Sequence, residues 1–102
     1  MVSGPAVIVF IQGQCPACHE FMPRFTKIAT PYKACGIRLY SPDISNSKDK
    51  KAMAAANYYK ISATPTMIVV SKSGRTKKIE GAVEDSEIVK ALGGFACDVP
   101  GT

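Results

Sequence analysis

Cys15-Pro16-Ala17-Cys18 stands where a continuous apolar run gives way to an amphipathic stretch. The run, Ala6-Val7-Ile8-Val9-Phe10-Ile11, reads as a central strand buried on both faces. From Pro16 onward, Phe21, Phe25, Ile28 and Tyr32 recur at helical spacing, with Met22 and Ala29 widening the stripe. A strand that enters a helix through this tetrapeptide sets the first thiol among the unpaired N–H groups of a helix N-terminus. There the helix dipole favours a thiolate. Thiols at this spacing can close into a disulfide within one chain and reopen, which suits electron exchange better than stapling.

The chain has 102 residues, enough to bury one core, and reads as a single domain over 1–102, with a core of about 6–92 and a tail at 93–102. Its longest apolar run is too short to span a membrane. Met1-Val2-Ser3-Gly4-Pro5 lacks the basic region of a secretory signal, so the expected location is cytoplasmic. In that compartment stable disulfides are rare, and a cysteine pair is more often catalytic or metal-binding. The net charge of +5 collects in Lys48, Lys50, Lys51 and in Arg75, Lys77, Lys78. No aromatic residues interleave with these cations to stack on bases, so they read as a solvated face and not a nucleic-acid site. The surplus favours acidic protein partners.

Pro16 falls in a first helical turn, where its missing N–H costs nothing, whereas Pro23 should kink the helix and Pro31 should close it. Residues 37–41 read as a second strand. A helix over about 48–59 follows, with Ser45 or Ser47 as cap. Thr66-Met67-Ile68-Val69-Val70 is a strong strand, Lys72-Ser73-Gly74-Arg75 a turn, and residues 76–80 an antiparallel return broken by Gly81. A last helix runs over about 84–92 and should end at Gly93-Gly94. The order β-α-β-α-β-β-α predicts an α/β domain of two parallel units, then a hairpin and helix. The product is a four-stranded mixed sheet flanked by three helices.

That order, with Cys15 and Cys18 at the end of the first strand, resembles the thioredoxin-like superfamily in its minimal form. Further landmarks agree: Pro23 five residues after Cys18, Asp43 after the second strand, Thr64-Pro65-Thr66 before the third, and Gly81 after the fourth. The departures are informative too. Gln14 stands where thioredoxins usually carry Trp, Val9 replaces a buried acid, and Leu39 replaces a lysine near that acid. Beginning at the active-site strand and placing Pro16 directly after Cys15 looks more like a glutaredoxin. However, Gln12-Gly13-Gln14 carries no basic residue, and the segment 81–85 only partly resembles a glutathione-contacting loop.

The resemblance implies a thiol–disulfide oxidoreductase that reduces protein disulfides. Cys15 is the expected nucleophile, exposed at the helix start and stabilised by the N–H groups of Ala17 and Cys18. Cys18, one turn in and more buried, resolves the mixed disulfide. Pro65 is expected to be cis and to pack beside the sulfurs. Thr64, Pro65, Pro16 and Ala17 would contact substrate, the Thr64 backbone pairing with an extended segment. Gln14 and His19 are expected modulators. The His19 cation would favour the thiolate below neutral pH, unless the ring simply faces solvent.

No bound cofactor is required. By resemblance, electrons come from NADPH through a flavoprotein thioredoxin reductase, or from glutathione, with ribonucleotide reductase as a recipient. The protein is expected to be a monomer. Cys15-Pro16-Ala17-Cys18-His19 also matches a haem-attachment string, but that use needs export and a largely helical surround. Zinc on Cys15, Cys18, Cys35, Cys97 and His19 is a rival reading, opposed by the lack of a second Cys-x-x-Cys, so no metal is assigned. Cys35 and Cys97 are read as free thiols, Cys97 in an easily oxidised tail, although a bridge between them is not decidable from sequence. The other rival is a non-catalytic module using the fold as a binding scaffold.

Overall fold

The computed structural model describes residues 3–45 and 48–97. Strand β1 is Ala6–Phe10, buried along its whole length. Helix α1 follows as Pro16–Ala29 and passes unbroken through Pro23. Pro31 ends its α-helical hydrogen bonding without ending the coil, because a 3-10 segment continues over Thr30–Cys35. Strand β2 is Arg38–Tyr40, helix α2 is Lys50–Tyr58, and strands β3 (Thr66–Val70) and β4 (Thr76–Glu80) form a hairpin. Helix α3 is Asp85–Val89 and runs on as a π-helical segment, Lys90–Ala96.

The sheet order is β2-β1-β3-β4, an α/β arrangement built on one mixed four-stranded sheet. Strands β1 and β2 are parallel, while β3 is antiparallel to both β1 and β4. The expectation of two parallel units therefore fails at the second. Thr66 pairs with Phe10, so β3 starts at the end of the sheet where β1 stops. The chain between β2 and β3 leaves and returns at one end, and an apolar run reads the same in either direction. Alternation splits the core. Val7 and Val9 face Phe21 and Phe25 of α1 and Ile88 and Leu92 of the last helix, whereas Ala6, Ile8 and Phe10 face Ala56 of α2. The edge strand β4 turns Lys77 and Lys78 to solvent, which discourages further pairing.

Two helix ends differ from expectation. The N-cap of α2 is Asp49, whose carboxylate accepts from Ala52 N–H at 3.1 Å. Ser45 instead bonds Asp43, and Ser47 lies outside the described residues. At the other end of the chain, Gly93 and Gly94 do not terminate the last helix. A Cβ on Gly93 would lie 3.2 Å from the Tyr32 hydroxyl, so glycine here serves close packing and not a left-handed stop. The coil continues and delivers Cys97 to Cys35, and the two are bridged, Cα to Cα 5.9 Å. The reading of two free thiols is thereby corrected: residues 62 apart in sequence meet because the last helix packs over α1 and its 3-10 extension.

Among the described residues no helix is long and apolar enough to cross a membrane.

Candidate active site

Where β1 ends, Cys15 takes an extended conformation (φ −128°, ψ 98°) and becomes the N-cap of α1, with Pro16 in the first turn. Its Sγ accepts from the Cys18 N–H at 3.1 Å, so the sulfur fills the capping role that a Ser or Asp oxygen usually plays. Cys15 and Cys18 form a disulfide, Cα to Cα 5.1 Å. Both sulfurs are well covered in this oxidised form: Cys15 is 8% exposed and Cys18 3%. Cys15 is thus less open than a helix-start position suggests, because the Thr64-Pro65 segment lies against it. Gln14, Pro16 and Ala17 are exposed around it and form the rim of the site.

The Thr64–Pro65 peptide bond is cis, and Pro65 is fully buried. The carbonyl of Thr64 lies 3.6 Å from Cys15 Sγ, and its hydroxyl donates toward the same sulfur at 3.4 Å. That hydroxyl also lies 3.0 Å from the Gln12 Oε1, so one proton serves two acceptors. In the disulfide the sulfur carries no proton and only accepts. Once reduced, a Cys15 thiol can donate to the Thr64 carbonyl, and a thiolate is held by Thr64 O–H and Cys18 N–H. Gly81, at φ +93°, directs its N–H to the Pro65 carbonyl at 2.8 Å and so ties the end of β4 to this segment.

The loop before Cys15 is braced from two sides. His19 Nε2 donates to the Gly13 carbonyl at 2.9 Å, which places the ring over the loop. Asp43 follows β2, pairs with Ile11 in an isolated bridge, and accepts from both the backbone N–H and the hydroxyl of Ser45. Those hydrogen bonds hold the Asp43 carboxyl below its ordinary value. Ser45 Oγ in turn accepts from Gly13 N–H at 3.5 Å. Further along α1, Arg24 bridges Glu20 and Asp85 and donates to the Val83 carbonyl, joining α1 to α3. Hydrogen bonding to Arg24 lowers the Glu20 carboxyl.

Sequence reasoning missed Gln12 and Gly13. Gln12 was visible only as an uncharged neighbour of the motif, and nothing local shows that it meets Thr64, 52 positions on. Val9 is fully buried and opposite Met67, among apolar side chains. Among the described residues no group of three or more His, Cys, Asp or Glu side chains is placed to hold a metal ion.

A disulfide at a helix N-cap, facing a cis X–Pro segment on this fold, defines a thiol–disulfide oxidoreductase. The chain belongs to the thioredoxin family: the family model for Thioredoxin matches residues 2–93. No curated protein sequence matches it. Its fold is similar to that of oxidised mitochondrial thioredoxin 3 from Saccharomyces cerevisiae (24% identity, TM-score 0.70, covering 88% of this chain and 77% of that one). It is also similar to Malassezia sympodialis thioredoxin (24%, TM-score 0.71, 91% and 77%) and to Fasciola hepatica thioredoxin (17%, TM-score 0.72, 91% and 83%).

Proposed function

We propose that the protein reduces disulfides in other proteins, with Cys15 as nucleophile and Cys18 as resolving thiol. The observation that carries this reading is the asymmetry of the pair. Cys15 Sγ alone receives Cys18 N–H and Thr64 O–H, and Cys18 is the more deeply covered sulfur. The Cys15 thiolate attacks a substrate disulfide, forming a mixed disulfide and releasing one substrate thiolate. Cys18 then loses its proton to water and attacks Cys15 Sγ. The intramolecular disulfide forms, and the second substrate thiolate leaves with the remaining electron pair. Thr64 lines the approach with the buried Pro65 behind it, and Pro16 and Ala17 form the exposed rim. The fold offers a natural place for an extended substrate segment beside Thr64.

The proposed setting is a cytosol, with the pair returned to its dithiol by a flavoprotein reductase that draws on NADPH. A disulfide in ribonucleotide reductase is a candidate recipient. Pro16 directly after Cys15 supports a second reading, in which glutathione is the reductant. Insulin reduction by the dithiothreitol-primed protein tests the first: turbidity should develop faster than with dithiothreitol alone, and Cys15→Ser should abolish the gain. An equal rate with and without protein would remove the proposal. A glutathione-coupled assay on a mixed disulfide tests the second reading, where turnover supports it and none eliminates it.

A further inference from the structure

The second disulfide lies at the other end of the sheet. Cys15 lies five residues beyond Phe10, the last residue of β1, whereas Ser71 follows Val70, which pairs with Ala6 at the start of β1. Beside Ser71 opens a cavity of about 510 Å³ bordered by Cys97, Lys72 and Arg75. Its remaining walls are serine hydroxyls and the backbone and ring of the last helix, with no acidic residue among them. The Arg75 guanidinium sits 5.6 Å over the Phe95 ring, which holds it at the cavity. Ser71 Oγ accepts from Arg75 N–H at 3.1 Å and contacts Ser73 Oγ at 3.0 Å, so the loop carrying both cations is internally fastened. Cys35 and Cys97 are both half-buried, and of the two it is Cys97 that borders this space.

We infer that Cys35–Cys97 is a second thiol–disulfide exchange site, open to small thiols that carry a carboxylate. Lys72 and Arg75 attract the anion, and the attached thiolate reaches Cys97 Sγ. The S–S bond breaks, a mixed disulfide forms on Cys97, and Cys35 leaves as a thiolate that takes a proton from water. A second molecule of the thiol, as thiolate, attacks the mixed disulfide and departs with the first as a small-molecule disulfide, leaving Cys97 reduced. Two thiols supply the two electrons that the protein disulfide accepts. The site goes beyond the chemistry at Cys15 and Cys18 and does not depend on it.

The test uses the folded 102-residue chain with Cys15→Ser and Cys18→Ser, so that only this bridge can react. Reduction by 3-mercaptopropionate, an anionic thiol, and by 2-mercaptoethanol, a neutral one, is followed by thiol trapping and mass spectrometry. Adding Lys72→Gln and Arg75→Gln should slow the anionic thiol by about fivefold or more while leaving the neutral one within about twofold. Added salt should reproduce that selective loss. Arg75→Lys, which keeps the charge, should keep the anionic rate and so separate steering from loosening of the helix. Equal changes in both rates, no change in either, or reduction only at the rate of unfolding in urea would each overturn the inference.

Discussion

The hydroxyl of Thr64 reaches 3.4 Å from Cys15 Sγ while also lying 3.0 Å from the side-chain oxygen of Gln12. Because a hydroxyl has one proton, the stronger acceptor takes it, and the balance shifts to sulfur when Cys15 ionises. Thr64→Val removes the donor and should raise the pH at which Cys15 becomes alkylated by about one unit, the scale of a hydrogen bond to a charged group. Gln12→Ala should move the same profile slightly the other way. Identical iodoacetamide profiles for the wild type and both variants would show that the hydroxyl does not serve the sulfur.

Gly81 holds a positive φ with open space where a Cβ would be, so its replacement meets only backbone strain. Gly81→Ala should cost about 1–2 kcal/mol in urea unfolding. Insulin reduction should also fall, since the Gly81 N–H to Pro65 carbonyl bond fixes the segment beside Cys15. Unchanged stability would mean that the turn relaxes.

Asp43 gives a pH dependence whose sign follows from its lowered carboxyl. Bonding to Ser45 favours the charged form in the folded state, so this stabilisation is present above the unfolded value, near pH 3.9, and is lost as pH falls through the lower folded value. Ser45→Ala should therefore match the wild type at acidities where Asp43 is protonated in both states. It should be the less stable protein at higher pH, where the wild type keeps the contribution. Urea midpoints collected from pH 2 to 7 check this, and an effect confined to the lowest pH would contradict the assignment.

Removing the second bridge by Cys35→Ser with Cys97→Ser releases a loop that the native disulfide closes across a 62-residue separation. Chain entropy alone puts the cost at about 4 kcal/mol under oxidising conditions. The variant should lose that difference once the wild type is fully reduced. Denaturant midpoints with and without a phosphine reductant give both numbers, and a variant as stable as the oxidised wild type would rule out a stapling contribution.

A substitution at Val9 tests how Cys18 sheds its proton. Val9→Asp would insert a carboxyl into a fully buried position, with a stability cost of a few kcal/mol and a carboxyl shifted upward by burial. A base so placed should speed resolution of the mixed disulfide once the pH is high enough to ionise it. Stopped-flow decay of a Cys15 mixed disulfide measures the step, and no acceleration in a folded variant would place position 9 away from the Cys18 proton path.

Much of the site was legible because its logic is local. Cys15, Pro16 and Cys18 sit within one helical turn, so their spacing already specifies cap, first turn and second sulfur. Thr64-Pro65 lies far along the chain, and its resemblance to the thioredoxin cis-proline segment ahead of the third strand marked it. The α2 cap was misread since Ser45, Ser47 and Asp49 are all good caps, and the choice depends on which can also reach a neighbour. Ser45 is taken by Asp43, and Asp49 faces the Ala52 N–H.

The order of residues alone determined the strands of the core, the helix that opens at Cys15, and the pair of sulfurs at its start. Each of these is encoded by a period or a spacing within a few residues. Tertiary packing decided the direction of β3, the grip of Thr64 on Cys15, and the union of Cys35 with Cys97. An apolar run buries its surface equally well in either direction. Contacts across 49 and 62 positions exist only after the last helix and the cis segment have docked on the sheet.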